Sequence, residues 1–175
     1  MQEIFKAIST YADAYKSLEK LQRRDGSMLP IGDQKTGVIG EFYARLYAAS
    51  VYQDAKLVYG HPSEHAWDIK VRQQGKEDHK IQVKTVSAHS STSRVSKIHT
   101  GWHELYLLRL DEDFLPIGFW AINVSEVSWG LSTLSSSTMP HRERFKSCSK
   151  AFRGCADRLD ALLAVLLKVQ IAPVV

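Results

Sequence analysis

Glu41, Asp68, Gln82 and Lys84 are residue types that together can hydrolyse an ester of phosphoric acid. Trp67, Ile69 and Val71 alternate with Ala66, Asp68, Lys70 and Arg72. After Gln73-Gln74-Gly75-Lys76-Glu77, Ile81 and Val83 alternate with Lys80, Gln82 and Lys84. Such alternation reads as a hairpin with one apolar and one polar face. With Gly75 at its apex, Asp68 lies near Gln82. Gln82 and Lys84, two apart, share a face. A carboxylate, an amide oxygen and an ammonium thus converge on one patch.

Magnesium takes hard oxygen ligands in octahedral array and keeps several waters. Asp68, the Gln82 amide oxygen and the backbone carbonyl of Val83 are three such ligands. Glu41 sits beside Val38 and Phe42, where a polar group meets the protein body, and can hold a metal-bound water or a second ion. Lys84 cannot ligate while charged. It can orient or deprotonate an attacking water, or offset charge in the transition state. Metal-assisted attack of this kind is phosphodiester hydrolysis in outline.

The elements that must position these groups follow from periodicity. Ile4, Phe5, Ile8, Ala12, Tyr15, Leu18 and Leu21 recur at spacings of three and four, which predicts an amphipathic helix over 3–23 ended by Asp25-Gly26. After Pro30 and Gly32, Asp33 can cap a second helix whose buried stripe is expected at Val38, Ile39, Phe42, Leu46 and Ala49. A short strand is expected at Lys56–Tyr59, broken by Gly60-His61-Pro62. Further strands are expected at Glu104–Leu110 and Pro116–Val124, with Asp111-Glu112-Asp113 turning between them. A last helix is expected over roughly Phe152 to Val169, with Cys155, Leu159, Leu162, Leu163 and Leu166 inward. Helices, a run of strands and a helix imply an α+β or α/β class with a mixed sheet.

Gly37-Val38-Ile39-Gly40-Glu41, Trp67-Asp68-Ile69 and Ile81-Gln82-Val83-Lys84-Thr85 together resemble the PD-(D/E)xK nuclease superfamily, the restriction-endonuclease-like fold. The resemblance covers residues 34 to 86, and extends to 124 by order of elements. It implies a central mixed β-sheet flanked by helices, with extra helices at both ends. It makes Glu41, Asp68, Gln82 and Lys84 the active-site residues, and Asp68, Gln82, Val83 and Glu41 the surroundings of Mg2+ or Mn2+. Two departures stand out: the third acid is Gln82, and Trp67 replaces the proline before the aspartate. The glutamine form resembles Mrr-like restriction enzymes and some intron-encoded endonucleases. A neutral ligand implies weaker binding of the ion. The layout expected is one domain over 1–175: an N-terminal helix and loop (1–33), a catalytic core (34–124) and a C-terminal helical segment (125–175). By the same resemblance the substrate is DNA and the enzyme a homodimer.

Length and composition agree with a globular chain. It has 175 residues, 44% hydrophobic and 24% charged, with net charge +4. No apolar run is long enough for a membrane span, and no basic-then-apolar leader opens the sequence. Cys148 and Cys155 form neither a disulfide framework nor a zinc site, which fits a reduced, cytoplasmic protein. No P-loop, GxGxxG, GxSxG or HExxH occurs, so no nucleotide cofactor is expected. Arg142, Arg144, Lys146, Lys150, Arg153 and Arg158 concentrate positive charge in one stretch, a phosphate-facing surface or a solvated helix face. The expected phosphate contacts are Lys35, Ser93, Arg94, Lys97, His99, Arg142 and Arg144. His61, His65, His79, His89 and His141 show no metal spacing, and Trp102 is expected to be structural. Two other functions fit the same residues: a catalytically inactive nuclease-like domain binding nucleic acid or a protein, and a structural or defence-associated module.

Overall fold

The computed structural model describes residues 1–22, 35–61, 64, 66–89, 98–126 and 156–171. Its elements in chain order are α1 (Gln2–Gln22), α2 (Thr36–Val51), β1 (Lys56–Tyr59), β2 (Ile69–Arg72), β3 (His79–Ser87), β4 (Glu104–Leu110), β5 (Pro116–Asn123), β6 (Ala156–Asp157) and α3 (Leu159–Ile171). The six strands form one mixed sheet in the order β1-β2-β3-β4-β5-β6. Only β3 and β4 run parallel; the other neighbours are antiparallel. The class is α+β, as the order of elements implied.

The hairpin takes the expected register. Ile69 pairs with Ile81 and Lys70 with Lys80 around Gly75, whose φ of 75° is one that glycine adopts without strain. Alternation then divides the sheet into two faces. Ile69, Val71, Ile81, Val83, Tyr106, Leu108 and Phe119 pack against α1, α2 and α3 in one core. On the opposite face Gln82, Val86, Leu105, Leu107, Trp120 and Ile122 are also buried. The hairpin's second face is therefore wet only in part: Lys70 and Lys80 are half-buried, whereas Gln82 is 1% exposed. Bordered by β4, β3 is an interior strand whose two faces are both largely covered.

The buried stripe of α2 differs from the expected one. It consists of Thr36, Ile39, Gly40, Tyr43, Ala44, Tyr47 and Ala48, while Val38 is 60% exposed and Ala49 lies outside. Small residues decide this. Gly40, Ala44 and Ala48, four apart, form a low ridge that lets the helix lie close on the sheet. At Gly40 a Cβ would fall 1.8 Å from Thr85 Oγ1 and 2.7 Å from Thr85 Cβ. Ranking positions by hydrophobicity favours Val38 and Ala49 and misses contact distance.

The ends of the chain also differ from expectation. Ile4 and Leu18 of α1 are exposed, while Ile8, Ala12 and Tyr15 are buried. α3 begins at Leu159, because Ala156–Asp157 extends the sheet as β6, and Asp157 Oδ1 accepts the Leu159 N–H as the helix starts. Leu162 and Leu166 face the core, but Leu163 is exposed. Asp33, Cys148 and Cys155 lie outside the described residues. No described helix is long and apolar enough to cross a membrane.

Candidate active site

The hydrogen-bonded pairing of β2 with β3 ends at Ile69 and Ile81, and Asp68 takes over where it stops. The Asp68 N–H donates to the Ile81 carbonyl at 2.9 Å, and Asp68 Oδ2 accepts the Val83 N–H at 2.6 Å. A side chain thus does the work of the next strand residue. Along a strand the N–H and C=O of one residue point to the same side. The Val83 carbonyl therefore lies on the edge that Asp68 occupies. Asp68 keeps Oδ1 for another partner.

Glu41 reaches this edge from α2, one residue past the close contact of Gly40 with Thr85. A cavity of ≈ 270 Å³ opens between α2 and the β1–β2 connection, lined by Val38, Glu41, Gly60, His61, Glu64, Trp67 and Asp68. Lys84 projects from β3 close enough to sense both carboxylates. Burial, then the Asp68 charge, pushes Glu41 up to about 7, while Lys84 pulls it down. Burial raises Asp68 as well, opposed by the Val83 N–H and then Lys84. Burial lowers the Lys84 ammonium, opposed by Asp68 and Glu41. Each group is pushed toward its neutral form because its desolvation exceeds what its neighbours return. A divalent cation would reverse the balance for the two carboxylates.

Gln82 is brought near but is not open to the cleft. Its Oε1 accepts the His99 N–H at 3.1 Å, and the side chain is 1% exposed. An amide oxygen has a second lone pair, so ligation demands a shared oxygen. Among the described residues no three His, Cys, Asp or Glu group as metal ligands. The donors that fit a hard cation are Asp68 Oδ1, the Val83 carbonyl and Glu41, with Gln82 as a shared fourth. This oxygen set suits Mg2+ or Mn2+ and not a thiolate- or imidazole-seeking metal.

Of the expected phosphate contacts, Lys35 and His99 are among the described residues. Lys35 is exposed at the start of α2, and His99 is half-buried with its N–H committed to Gln82. Ser93, Arg94, Lys97, Arg142 and Arg144 lie outside the described residues. Trp102 is 3% exposed.

Two groups of residues escaped the sequence. Glu64 lines the cleft, and its charge raises Asp68. Its Oε1 accepts the Ala66 N–H at 3.0 Å. The other is a network around Glu104. Its Oε2 accepts Tyr52 Oη at 3.1 Å and Tyr106 Oη at 2.8 Å, and lies 3.5 Å from His79 Nε2. His79 in turn stacks on His103 with ring centres 5.0 Å apart. His79 and Glu104 meet only because β3 and β4 run parallel in a particular register, which no spacing in the chain announces. No family model matches this chain, and no curated protein matches it.

Proposed function

We propose that the protein is a metal-dependent DNA endonuclease that hydrolyses phosphodiester bonds, a divergent relative of the PD-(D/E)xK nucleases it resembles. One observation carries this reading: Glu41 from α2 and Asp68 at the β2–β3 divergence line one cleft, and Asp68 Oδ2 accepts the N–H of Val83, the residue before Lys84 on β3. Asp68, the Val83 carbonyl and Glu41 would hold Mg2+ or Mn2+, with the Gln82 oxygen shared. Such an ion would supply Lewis acidity toward the phosphate and would lower the pKa of bound water. Asp68 is fixed for this by the Val83 N–H, so it needs no reorganisation on binding. Lys84, kept partly desolvated, orients the attacking water or offsets charge on the phosphate oxygens. Glu41 accepts a proton or a hydrogen bond from that water. The protein works in the cytoplasm, consistent with its two cysteines, and as a homodimer if it cuts both strands.

Plasmid nicking in the presence and absence of Mg2+ or Mn2+ tests the reading. Nicking that requires the ion and falls at least about 100-fold in Lys84→Ala and Asp68→Asn is expected. Nicking unaffected by Lys84→Ala, or no ion-dependent nicking at all, overturns it. The engagement of Gln82 with His99 favours a second reading, a nuclease-like domain that binds DNA without cutting it. Salt-sensitive DNA retention without cleavage supports that alternative.

A further inference from the structure

A second cavity adjoins the cleft. It has a volume of ≈ 360 Å³ and shares Val38 and Glu41 with the cleft. Its other lining residues are Ile4 and Ile8 of α1, Ile39 and Phe42 of α2, and Tyr59 of the edge strand β1. Ile4, Val38 and Tyr59 are 43%, 60% and 44% exposed, so the groove is open to a ligand along its lips. Its size is that of a small-molecule site.

Two features of the lining select an occupant. The walls are apolar, apart from the single carboxyl of Glu41. The Arg45 guanidinium stands 4.7 Å from the centre of the Tyr59 ring and is fixed by donating to the Leu57 carbonyl at 2.9 Å. A flat ring at the mouth, backed by a cation, is a stacking platform. The ligand that matches is flat and heteroaromatic and has a polar edge for Glu41.

We infer that this groove takes an unpaired nucleobase of the DNA strand whose backbone enters the cleft, with the base stacked on Tyr59. A stacked duplex cannot offer a base to the groove, so the substrate is DNA with a single-stranded, frayed or flipped nucleotide beside the scissile phosphate. The inference rests on the nuclease reading only for the presence of DNA in the cleft.

Binding in EDTA separates it from catalysis. Fluorescence anisotropy with labelled oligonucleotides, one carrying an unpaired segment and one fully duplex, is the measurement. The unpaired probe is expected to bind about tenfold more tightly, and Tyr59→Ala to remove that advantage while leaving duplex binding unchanged. Ile4→Asp, on the exposed α1 lip of the groove and outside the lining of the cleft, is expected to do the same. A 2-aminopurine in the unpaired segment should lose fluorescence with wild type and regain it with Tyr59→Ala. Equal affinity for both probes, or a preference that survives both substitutions, overturns the inference. So does sedimentation showing a dimer that Ile4→Asp converts to monomer, because a second copy then fills the groove. Base-dependent binding without any ion-dependent nicking upholds the groove and removes the endonuclease reading alone.

Discussion

Asp68 Oδ2 accepts the Val83 N–H at 2.6 Å, so one carboxylate both completes the β2–β3 ladder and presents its other oxygen to the cleft. Structural and chemical roles can be separated at this position. Asp68→Asn retains a carbonyl oxygen able to accept the Val83 N–H. Asp68→Ala orphans that donor at a cost of about 1–3 kcal/mol. Urea unfolding should show Asp68→Asn within about 1 kcal/mol of wild type and Asp68→Ala clearly below it. Nicking should be lost in both. Equal stability of the two variants would mean that the N–H finds another acceptor.

Glu41 makes the site a source of instability as pH rises. Its folded-state pKa, about 7, exceeds the ordinary 4.5. Between those values the unfolded chain gives up its proton first, so stability is full below about pH 4.5 and falls as pH rises through 7. Discounted for the solvent that reaches this half-buried group, the loss is about 1–2 kcal/mol. Glu41→Gln has no such dependence. In EDTA it should be more stable than wild type by about 1 kcal/mol at pH 8 and equal to it at pH 4. Urea midpoints at the two pH values check this, and a wild-type advantage at pH 8 would contradict it.

The contact of Gly40 with Thr85 fixes how closely α2 approaches β3, and hence where Glu41 ends. Gly40→Ala places a methyl 1.8 Å from Thr85 Oγ1 and 2.7 Å from its Cβ, and the latter cannot swing away. Overpacking of this kind costs about 1–3 kcal/mol even though alanine favours helix. Thr85→Ala removes a hydroxyl with no partner among the described residues and relieves part of the crowding. In a double-mutant cycle the pair should be less destabilised than the sum of the singles by at least about 0.5 kcal/mol. Additive effects would show that the helix shifts freely, and with it Glu41.

The Glu104 network anchors the end of α2 through Tyr52 and titrates in the opposite sense to Glu41. Burial pushes Glu104 up, but the contacts with His79, Tyr106 and Tyr52 together hold it below the usual carboxylate range. A depressed pKa stabilises the fold above the unfolded value and loses that contribution as pH falls toward and below it. Glu104→Ala leaves two tyrosine hydroxyls without their acceptor and should cost about 2 kcal/mol at pH 7. The difference from wild type should shrink at pH 3. A gap as large at pH 3 as at pH 7 would assign the loss to packing and not to charge.

Legibility from sequence followed the range of each interaction. Hairpin register was readable because alternation and one glycine determine it locally, and Asp68 beside Gln82 and Lys84 followed from that register. The strand Glu104–Leu110 was readable as an apolar run of strand length, and the strand expected at Pro116–Val124 runs over Pro116–Asn123. The face of α2 was not, because it depends on Gly40 meeting Thr85 far along the chain. Glu64 and the His79–Glu104 pair were invisible, because a loop's path and a parallel register decide them. The burial of Gln82 was missed because a hairpin alone gives no sign that β4 will flank β3 and that His99 will reach across it.

Gln82 is the position where this chain's chemistry is most open to change. Its oxygen accepts the His99 N–H, and a glutamate there can keep that bond with one oxygen while offering the other to a cation. Gln82→Glu adds negative charge to a residue 1% exposed, so in EDTA the variant should be less stable than wild type by about 2 kcal/mol or more. A cation at Asp68 and the Val83 carbonyl would neutralise that charge. Mg2+ or Mn2+ should therefore raise the melting temperature of Gln82→Glu by several degrees more than that of wild type. The metal concentration giving half-maximal nicking should fall. Thermal melts over a metal titration, with Gln82→Glu/Asp68→Asn as the control, are the measurement. A melting temperature of Gln82→Glu that does not respond to either ion would place the cation away from β3.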